Sequence, residues 1–350
     1  MPGGVTYHFL RSTEELLAGV PCWSDLWRDD PQATPFQSPE WLVPWWLHFG
    51  QPDLRAVAIV RDNAWIGFLP FYLFHEPYTG ERQLLQLGIS SSDYLDGLFA
   101  PCCGAAHIRE AIELLLREPG WDVFYASQLP AHSRLFHAVR QLNEGRVRQF
   151  EGESCSRMRA VCMAELPQKI RRSAAYYRSR AQRIGNLELQ MADAANWAED
   201  FGALRRLHTE RWLERGEPGA LDDERALAWH GEAIPRLEAA GMLRLCSLRL
   251  EGEIVGVLYA LADPQWRPMR TEYFYLTGFS TSHKELRPGT LLLALAIERA
   301  AQEGIAVIDM LRGYETYKQL WHLEWRATRG FALDARAEHA LGFNDTEKAA

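Results

Sequence analysis

Two stretches of this chain are weak copies of each other, and this repetition limits the folds that the chain can adopt. The first copy is VAIVRDNAWIGFLPFYL, from Val57 to Leu73, and the second is CSLRLEGEIVGVLYALA, from Cys246 to Ala262. Aligned without gaps, each copy carries a polar pair five residues before a glycine. These residues are Asp62-Asn63 and Gly67 in the first copy, and Glu251-Gly252 and Gly256 in the second. Two apolar runs around a tight polar turn predict a β-hairpin in each copy.

A second matched pair of segments follows the hairpins. Each segment has the pattern of a helix that ends near a glycine and leads into an apolar strand. The segments are IREAIELLLREPGWDVFYA at Ile108–Ala126 and LLLALAIERAAQEGIAVIDML at Leu291–Leu311. Two similar halves predict a duplicated domain. The alternative is a chance similarity between two α/β segments.

Composition and charge limit the classes of function. The chain has 350 residues, of which 47% are hydrophobic and 24% charged, as in ordinary globular proteins. Its net charge of −8 argues against DNA as a partner. The six cysteines lack metal-site spacing, so we expect no metal and reduced thiols in a cytoplasmic protein. We expect no signal peptide and no membrane span, because the longest apolar stretch, Thr290–Ile297, is far too short.

Two helices are predicted with more than one possible role. Ser38-Pro39-Glu40 has the pattern of a helix start, and the helix carries Trp41, Trp45 and Trp46. Core packing is favoured for these tryptophans over stacking on a ligand. A second helix, Gln168 to Ile184, has an apolar stripe and no acidic residue. The stripe is Ile170, Ala174, Tyr177, Ala181 and Ile184, and the cations are Lys169, Arg171, Arg172, Arg178, Arg180 and Arg183. Its cationic face is either a solvated surface or a site for a phosphate-bearing partner.

The order of elements in the second half, together with four local blocks, resembles the GNAT acyltransferase superfamily. More narrowly, it is similar to the double-domain branch that contains the CelD-type acetyltransferases and the FemABX aminoacyltransferases. The blocks are FQSPEWLVPWW (36–46), LHTERW (207–212), RPGTLLL (287–293) and DMLRGYETYKQLW (309–321). The resemblance covers roughly residues 36 to 333, and its last block is the most specific.

The resemblance implies an α/β (α+β) fold of two GNAT-like domains, each a mixed, mainly antiparallel twisted sheet flanked by helices. We expect a degenerate N-terminal domain at 1–160 and a basic connecting helix at 161–186. A catalytic domain follows at 187–335, and a flexible tail at 336–350.

The RPGTLLL block predicts the binding site for the acyl donor. Arg287, Gly289, Thr290 and Leu291 stand between a strand and a helix, where free backbone amides bind anions. By resemblance the anion is the pyrophosphate of coenzyme A. Leu291 replaces the last small residue of the usual family motif, which keeps aminoacyl-tRNA open as an alternative donor.

The last block contains the candidate catalytic residues. Asp309 lies in an apolar strand, where a carboxylate needs a partner or a function, and Arg312 is a possible partner. Glu315 and Tyr317 follow on the exit loop. Transfer to an amine needs a base and an acid, and we assign these roles to Glu315 and Tyr317, the tyrosine by analogy with simple GNAT enzymes. Lys318 is expected to bind an anion of the donor or acceptor. The alternative for Tyr317 is ordinary core packing.

The first helix of the second half is expected to border the acceptor groove. Its candidate residues are His208, Arg211 and Trp212, of which His208 and Trp212 share one face. A plain hydrogen-bonded histidine is the alternative for His208.

These observations predict direct transfer of an acetyl or longer acyl group from acyl-CoA to an amine or hydroxyl. No cysteine nucleophile is evident at the site. By family neighbourhood, the acceptor is expected to be a small molecule, with a sugar or polysaccharide precursor as the first candidate. Two alternatives stay open: a Fem-type transferase that uses aminoacyl-tRNA, and a non-catalytic GNAT fold that serves as an anion-binding scaffold.

Overall fold

The computed structural model describes residues 4–335, except 52, 143–146, 214–215, 217–218 and 220. The predicted tail at 336–350 lies outside these residues. The described chain forms two compact units. The first contains residues up to 42, 50–152 and from 328 onward, and the second contains 43–49 and 153–327. The short segment 43–49 belongs to a helix, and the long segment begins and ends within two strands, at residues 152–153 and 327–328.

The elements up to the first of these crossings alternate short strands and helices. In chain order they are β1 Thr6–Leu10, α1 Thr13–Ala18, α2 Val20–Asp29, α3 Pro39–Phe49, β2 Ala56–Arg61, β3 Ala64–Leu69, β4 Phe71–His75, β5 Arg82–Gln86, β6 Leu98–Phe99, α4 Ala105–Arg117, β7 Val123–Leu129, α5 Arg134–Leu142 and β8 Val147–Arg159.

The remaining elements repeat much of this order. They are α6 Gln168–Gln182, β9 Leu187–Met191, α7 Trp197–Leu213, α8 Glu224–Ala239, β10 Leu243–Leu250, β11 Glu253–Ala262, β12 Thr271–Phe279, α9 Pro288–Gln302, β13 Val307–Arg312 and β14 Glu324–Asp334. Two short 3₁₀ turns, Lys284–Leu286 and Lys318–Trp321, flank α9 and β13.

Strand pairing follows the same scheme in both units. In the first, β1–β2–β3–β6 are antiparallel, β4–β5 are antiparallel, β5–β7 are parallel, and the end of β14 pairs antiparallel with β7. In the second, β9–β10–β11–β12 are antiparallel, β12–β13 are parallel, and the end of β8 pairs antiparallel with β13. The predicted mixed, mainly antiparallel fold is confirmed.

The two predicted hairpins are present and match in detail. The turn residues all have positive φ: 52° and 62° at Asp62-Asn63, 51° and 81° at Glu251-Gly252. This backbone matches the twist of the flanking strands. The register also shifts at corresponding places, between Ile59 and Val60 and between Leu248 and Arg249. A shared bulge position is a feature that chance similarity does not predict, so it supports duplication.

Helices cover both faces of the second sheet, and the alternation of side chains decides which face each helix covers. Cys246, Leu248 and Leu258 pack with α6 and α9 in one hydrophobic cluster. Residues of opposite parity face α7, where Arg249 bonds Glu199 and Asp200 at 2.9 Å each. Because successive residues of a strand point to opposite faces, the central strands β10 and β11 are buried on both sides. This burial explains the nearly continuous apolar runs that made the hairpins visible in the sequence.

Three expectations about elements need comment. The tryptophans of α3 are buried, which confirms core packing for Trp41, Trp45 and Trp46. The helix predicted as a connector, α6, belongs to the second unit, and Ile184 lies beyond its end and is 58% exposed. The long strand β8 was not predicted, because most of its residues are polar and its apolar residues do not recur at every second position.

Candidate active site

Two parallel strands of the second unit pair over only part of their length. Strands β12 and β13 pair only from Thr271 with Val307 to Tyr273 with Asp309. Strand β12 continues to Phe279, but the pairing does not, so the two strands diverge beyond this point. A bulge between β11 and β12 falls at the same level, next to Tyr259. The carboxyl ends of diverging parallel strands are a usual place for an α/β site.

The exit of β13 from the sheet is strained and held by side chains. Leu311 is buried with φ of 57°, a left-handed conformation that a leucine rarely adopts. The Asp309 carboxylate accepts a hydrogen bond from the Leu311 N–H at 2.8 Å. Asp309 is therefore placed at the point of divergence, where it fixes the bulge. Arg312, its predicted partner, has its guanidinium 3.8 Å from the Glu153 carboxylate.

Lys318 clamps the loop that follows β13. Its side chain is 1% exposed, and its ammonium donates to the backbone carbonyls of Leu311, Arg312 and Gly313 at 3.3, 2.6 and 3.2 Å. The Glu315 carboxylate lies 2.9 Å away as an ion pair. Four acceptors use all three N–H groups of an ammonium. The structure thus favours a positioning role for Lys318 over the predicted binding of a substrate anion.

Glu315 and Tyr317 lie beside this clamp, toward the end of β12. The Glu315 side chain is 52% exposed, and Tyr317 is 37% exposed. Burial raises the pKa of the Tyr317 phenol above its ordinary value, the charge of Glu315 raises it further, and the charge of Arg211 lowers it. The Arg211 guanidinium lies 4.6 Å from the centre of the Phe279 ring. Helix α7, the end of β12 and the exit loop therefore meet here.

The start of α9 follows the end of β12. Arg287 has φ of 44°, and a Cβ atom on Gly289 would come within 3.0 Å of the Phe279 ring, so the glycine permits this packing. The N–H groups of Thr290 and Leu291 both donate to the Arg287 carbonyl, at 3.0 and 3.3 Å. Pro288 has no N–H. In the described part of the chain, Gly289 N–H is thus the one free amide of the first turn.

Of the three predicted α7 residues, only Arg211 reaches this site directly. His208 is 4% exposed, and its Nε2 accepts a hydrogen bond from Trp212 Nε1 at 2.9 Å. Burial and the charge of Arg211 lower the pKa of His208. The imidazole is therefore held neutral inside the unit, beside Gly219. This arrangement favours the alternative interpretation, in which His208 is a hydrogen-bonded interior residue.

Two residues of the site were not predicted from the sequence. Phe279 supports Arg211 and packs against Gly289, and Gly278 allows α7 to approach β12. A Cβ atom on Gly278 would come within 3.0 Å of the Leu204 carbonyl oxygen. The sequence signal that could have indicated these two residues is a glycine followed by an aromatic residue at the end of an apolar strand.

Two further observations concern cofactors and membranes. Within residues 4–335, apart from the gaps stated above, no three His, Cys, Asp or Glu side chains are grouped so that they could hold a metal ion. None of the described helices has the length and apolar character needed to cross a bilayer.

Comparison with known proteins shows what the second unit is similar to. Residues 168–319 match the family model of the GNAT acetyltransferase domain. No curated protein matches the chain in sequence. Among solved structures, FemX is similar, with a TM-score of 0.61, 9% identity, and coverage of 93% of this chain and 96% of that one.

Two more solved structures have a similar fold over most of their length. A conserved protein of unknown function from Bacteroides thetaiotaomicron has a TM-score of 0.64 and 13% identity, with coverage of 94% and 100%. A tandem GNAT protein from the clavulanic acid biosynthesis pathway has a TM-score of 0.50 and 13% identity, with coverage of 95% and 99%. Residues 168–319 therefore match the GNAT acetyltransferase domain, and the chain shares its fold over most of its length with FemX and with a tandem GNAT protein.

Proposed function

We propose that this protein transfers an acyl group from acyl-CoA to an amine through a direct reaction of the two bound substrates. The observation that carries the proposal is the meeting of Tyr317, Glu315 and Arg211 near the end of β12, beyond the point where its pairing with β13 ends. The start of α9, with Arg287 beside it, is the nearby anion site. The family match of residues 168–319 supports the same reaction class.

The proposed chemistry assigns one proton to each catalytic group. The amine nitrogen attacks the thioester carbonyl, a C–N bond forms, and the C–S bond breaks. The Glu315 carboxylate accepts the proton that the amine loses, and the Tyr317 phenol donates a proton to the departing thiolate. The Tyr317 phenol is protonated at neutral pH, and its raised pKa makes it a weaker acid than an ordinary tyrosine. Lys318 holds Glu315 in place.

For the acceptor and the acyl group, we propose chemical classes and not single compounds. We infer an amine or hydroxyl acceptor of small-molecule size, and a sugar or polysaccharide precursor is our first candidate by family neighbourhood. Acetyl-CoA is the first donor to test, and longer acyl-CoAs follow. The likeness to FemX makes aminoacyl-tRNA the second candidate donor, and the cationic helix α6 is the specific feature that favours it.

The test of the catalytic assignment is thiol release from acetyl-CoA with a panel of amines. Tyr317→Phe and Glu315→Gln should each lower kcat by roughly 10²–10⁴ with little change in the KM for the donor. Tyr314→Phe is the matched control, because this phenol is 65% exposed and its ring stacks on Trp325 at 4.5 Å. Normal turnover in both site variants would remove acid–base chemistry from this loop.

A further inference from the structure

Four of the exposed cations of α6 and its C-cap residue form a single stripe along the helix, next to the donor loop. Lys169, Arg172, Arg180 and Arg183 are three, eight, eleven or fourteen positions from one another. Tyr176 is four positions from both Arg172 and Arg180, so all five residues share one face. Every one of them is exposed, and Tyr176 is 60% exposed. Arg171 and Arg178 lie on a different side of the helix.

The stripe adjoins the start of α9. Helix α6 packs against α9 and against the 3₁₀ turn Lys284–Leu286. Arg180 donates to the Glu285 carbonyl at 3.3 Å, and the Arg287 guanidinium lies 5.8 Å from the Tyr177 ring centre. Tyr177 in turn contacts Tyr176 edge to face at 5.0 Å. The exposed stripe and the predicted phosphate loop therefore form one continuous surface.

The donor loop needs this added charge. Its first turn offers a single free amide, at Gly289, where a phosphate cradle normally offers several. Lys284 and Arg287 are exposed beside it, and the loop also carries one exposed acid, Glu285. A flat exposed phenol among cations is also suited to stacking on a nucleobase.

We propose that this face of α6 binds the nucleotide end of the acyl-CoA donor, with Arg180 and Arg183 on its 3′-phosphate and Tyr176 against its adenine. This inference rests on the proposed acyl-CoA function. It makes helix α6, which precedes β9, part of the donor site.

The test is calorimetric titration of the full chain with CoA and with 3′-dephospho-CoA. The wild type should bind CoA about tenfold more tightly, which is the effect of one well-placed charge-assisted contact. In Arg180→Ala/Arg183→Ala this preference should disappear, while the affinity for 3′-dephospho-CoA stays unchanged. Tyr176→Ala should weaken both ligands equally, because both carry adenine.

The matched control is Arg171→Ala/Arg178→Ala, which removes the same charge from the same helix on another side. It should keep the preference for CoA, and equal melting temperatures would show that all variants are folded. Equal affinities of the wild type for the two ligands would overturn the inference and leave the acyl-CoA function standing. Loss of the preference in the control would also overturn it, since the effect would then be general attraction.

Two other outcomes distinguish CoA from RNA as the phosphate-bearing ligand of this face. If neither CoA nor acetyl-CoA binds the wild type, the proposed function fails together with this inference. If the stripe variant keeps its preference for CoA but loses retention of tRNA on filters at low salt, the face serves an RNA, and the inference is overturned.

Discussion

At the scale of single residues, Lys318 is the most instructive side chain of this protein. The sequence places it on a polar exit loop, where a lysine is normally solvated. The structure buries it almost completely, because its ammonium binds three carbonyls that leave the strained end of β13. Those carbonyls belong to the turn that begins at Leu311, where φ is positive. A buried cation with this many partners shapes the loop that carries Glu315 and Tyr317.

Replacing Lys318 should therefore destabilise the fold. Lys318→Met should lower the free energy of unfolding by about 1–3 kcal/mol, because the carbonyls lose their donor while remaining buried. Lys284→Met, at an exposed lysine, should change it by less than about 0.5 kcal/mol. Urea denaturation of both variants measures the difference. Equal stabilities would show that the clamp contributes nothing.

The residues of the site illustrate which information a sequence holds. Glu315, Tyr317 and Arg287 stood out because they follow an apolar strand or precede an apolar helix, which are local patterns. Their surroundings depend on contacts between distant segments, such as Arg211 with Phe279. The burial of Lys318 and the interior bond of His208 have the same long-range origin, and no spacing rule could have predicted them.

At the scale of elements, the repeated hairpin was the most reliable prediction. Both turns were visible because a polar pair interrupts two apolar runs, and both have the positive φ values that such turns require. The strand β8 was missed because most of its residues are half-exposed or exposed and polar. Strand signals in a sequence come from burial, so a poorly buried strand leaves little trace.

The shared turn geometry makes a paired prediction. Asn63→Gly should stabilise the protein by about 0.5–1 kcal/mol, because glycine adopts positive φ at no steric cost. Gly252→Asn, at the corresponding position of the second hairpin, should destabilise it by a similar amount. No atom lies within 4 Å of a Cβ built on Gly252, so the change tests the backbone alone. Shifts of the urea midpoint in the same direction would contradict equivalent turns.

At the scale of the whole molecule, the second unit is built around an aromatic cluster that contains a histidine. His230 is 2% exposed, stacks on Trp229 at 4.0 Å, and has the rings of Phe201, Tyr259 and Tyr275 around it. Burial lowers the pKa of His230 to about 3. The folded protein therefore keeps this imidazole neutral at pH values at which the unfolded chain protonates it.

This difference predicts an acid-sensitive stability. Below the unfolded pKa of about 6.5, the unfolded state binds one more proton than the folded state, so stability falls as the pH falls toward 3. Between pH 7 and pH 5, the wild type should lose about 2 kcal/mol more than His230→Phe, which does not titrate. Urea unfolding at the two pH values measures both losses. Equal losses would mean that His230 is protonated in the folded state.

The central claim is that the second unit is an acyl-CoA-dependent transferase, and calorimetric binding of acetyl-CoA to the full chain tests it most directly. We expect saturable binding with a Kd in the range of about 1 μM to 1 mM, weakened by Arg287→Ala and unchanged by Tyr314→Phe. The absence of binding by acetyl-CoA, longer acyl-CoAs and CoA at millimolar concentration, with the protein folded, would contradict the account.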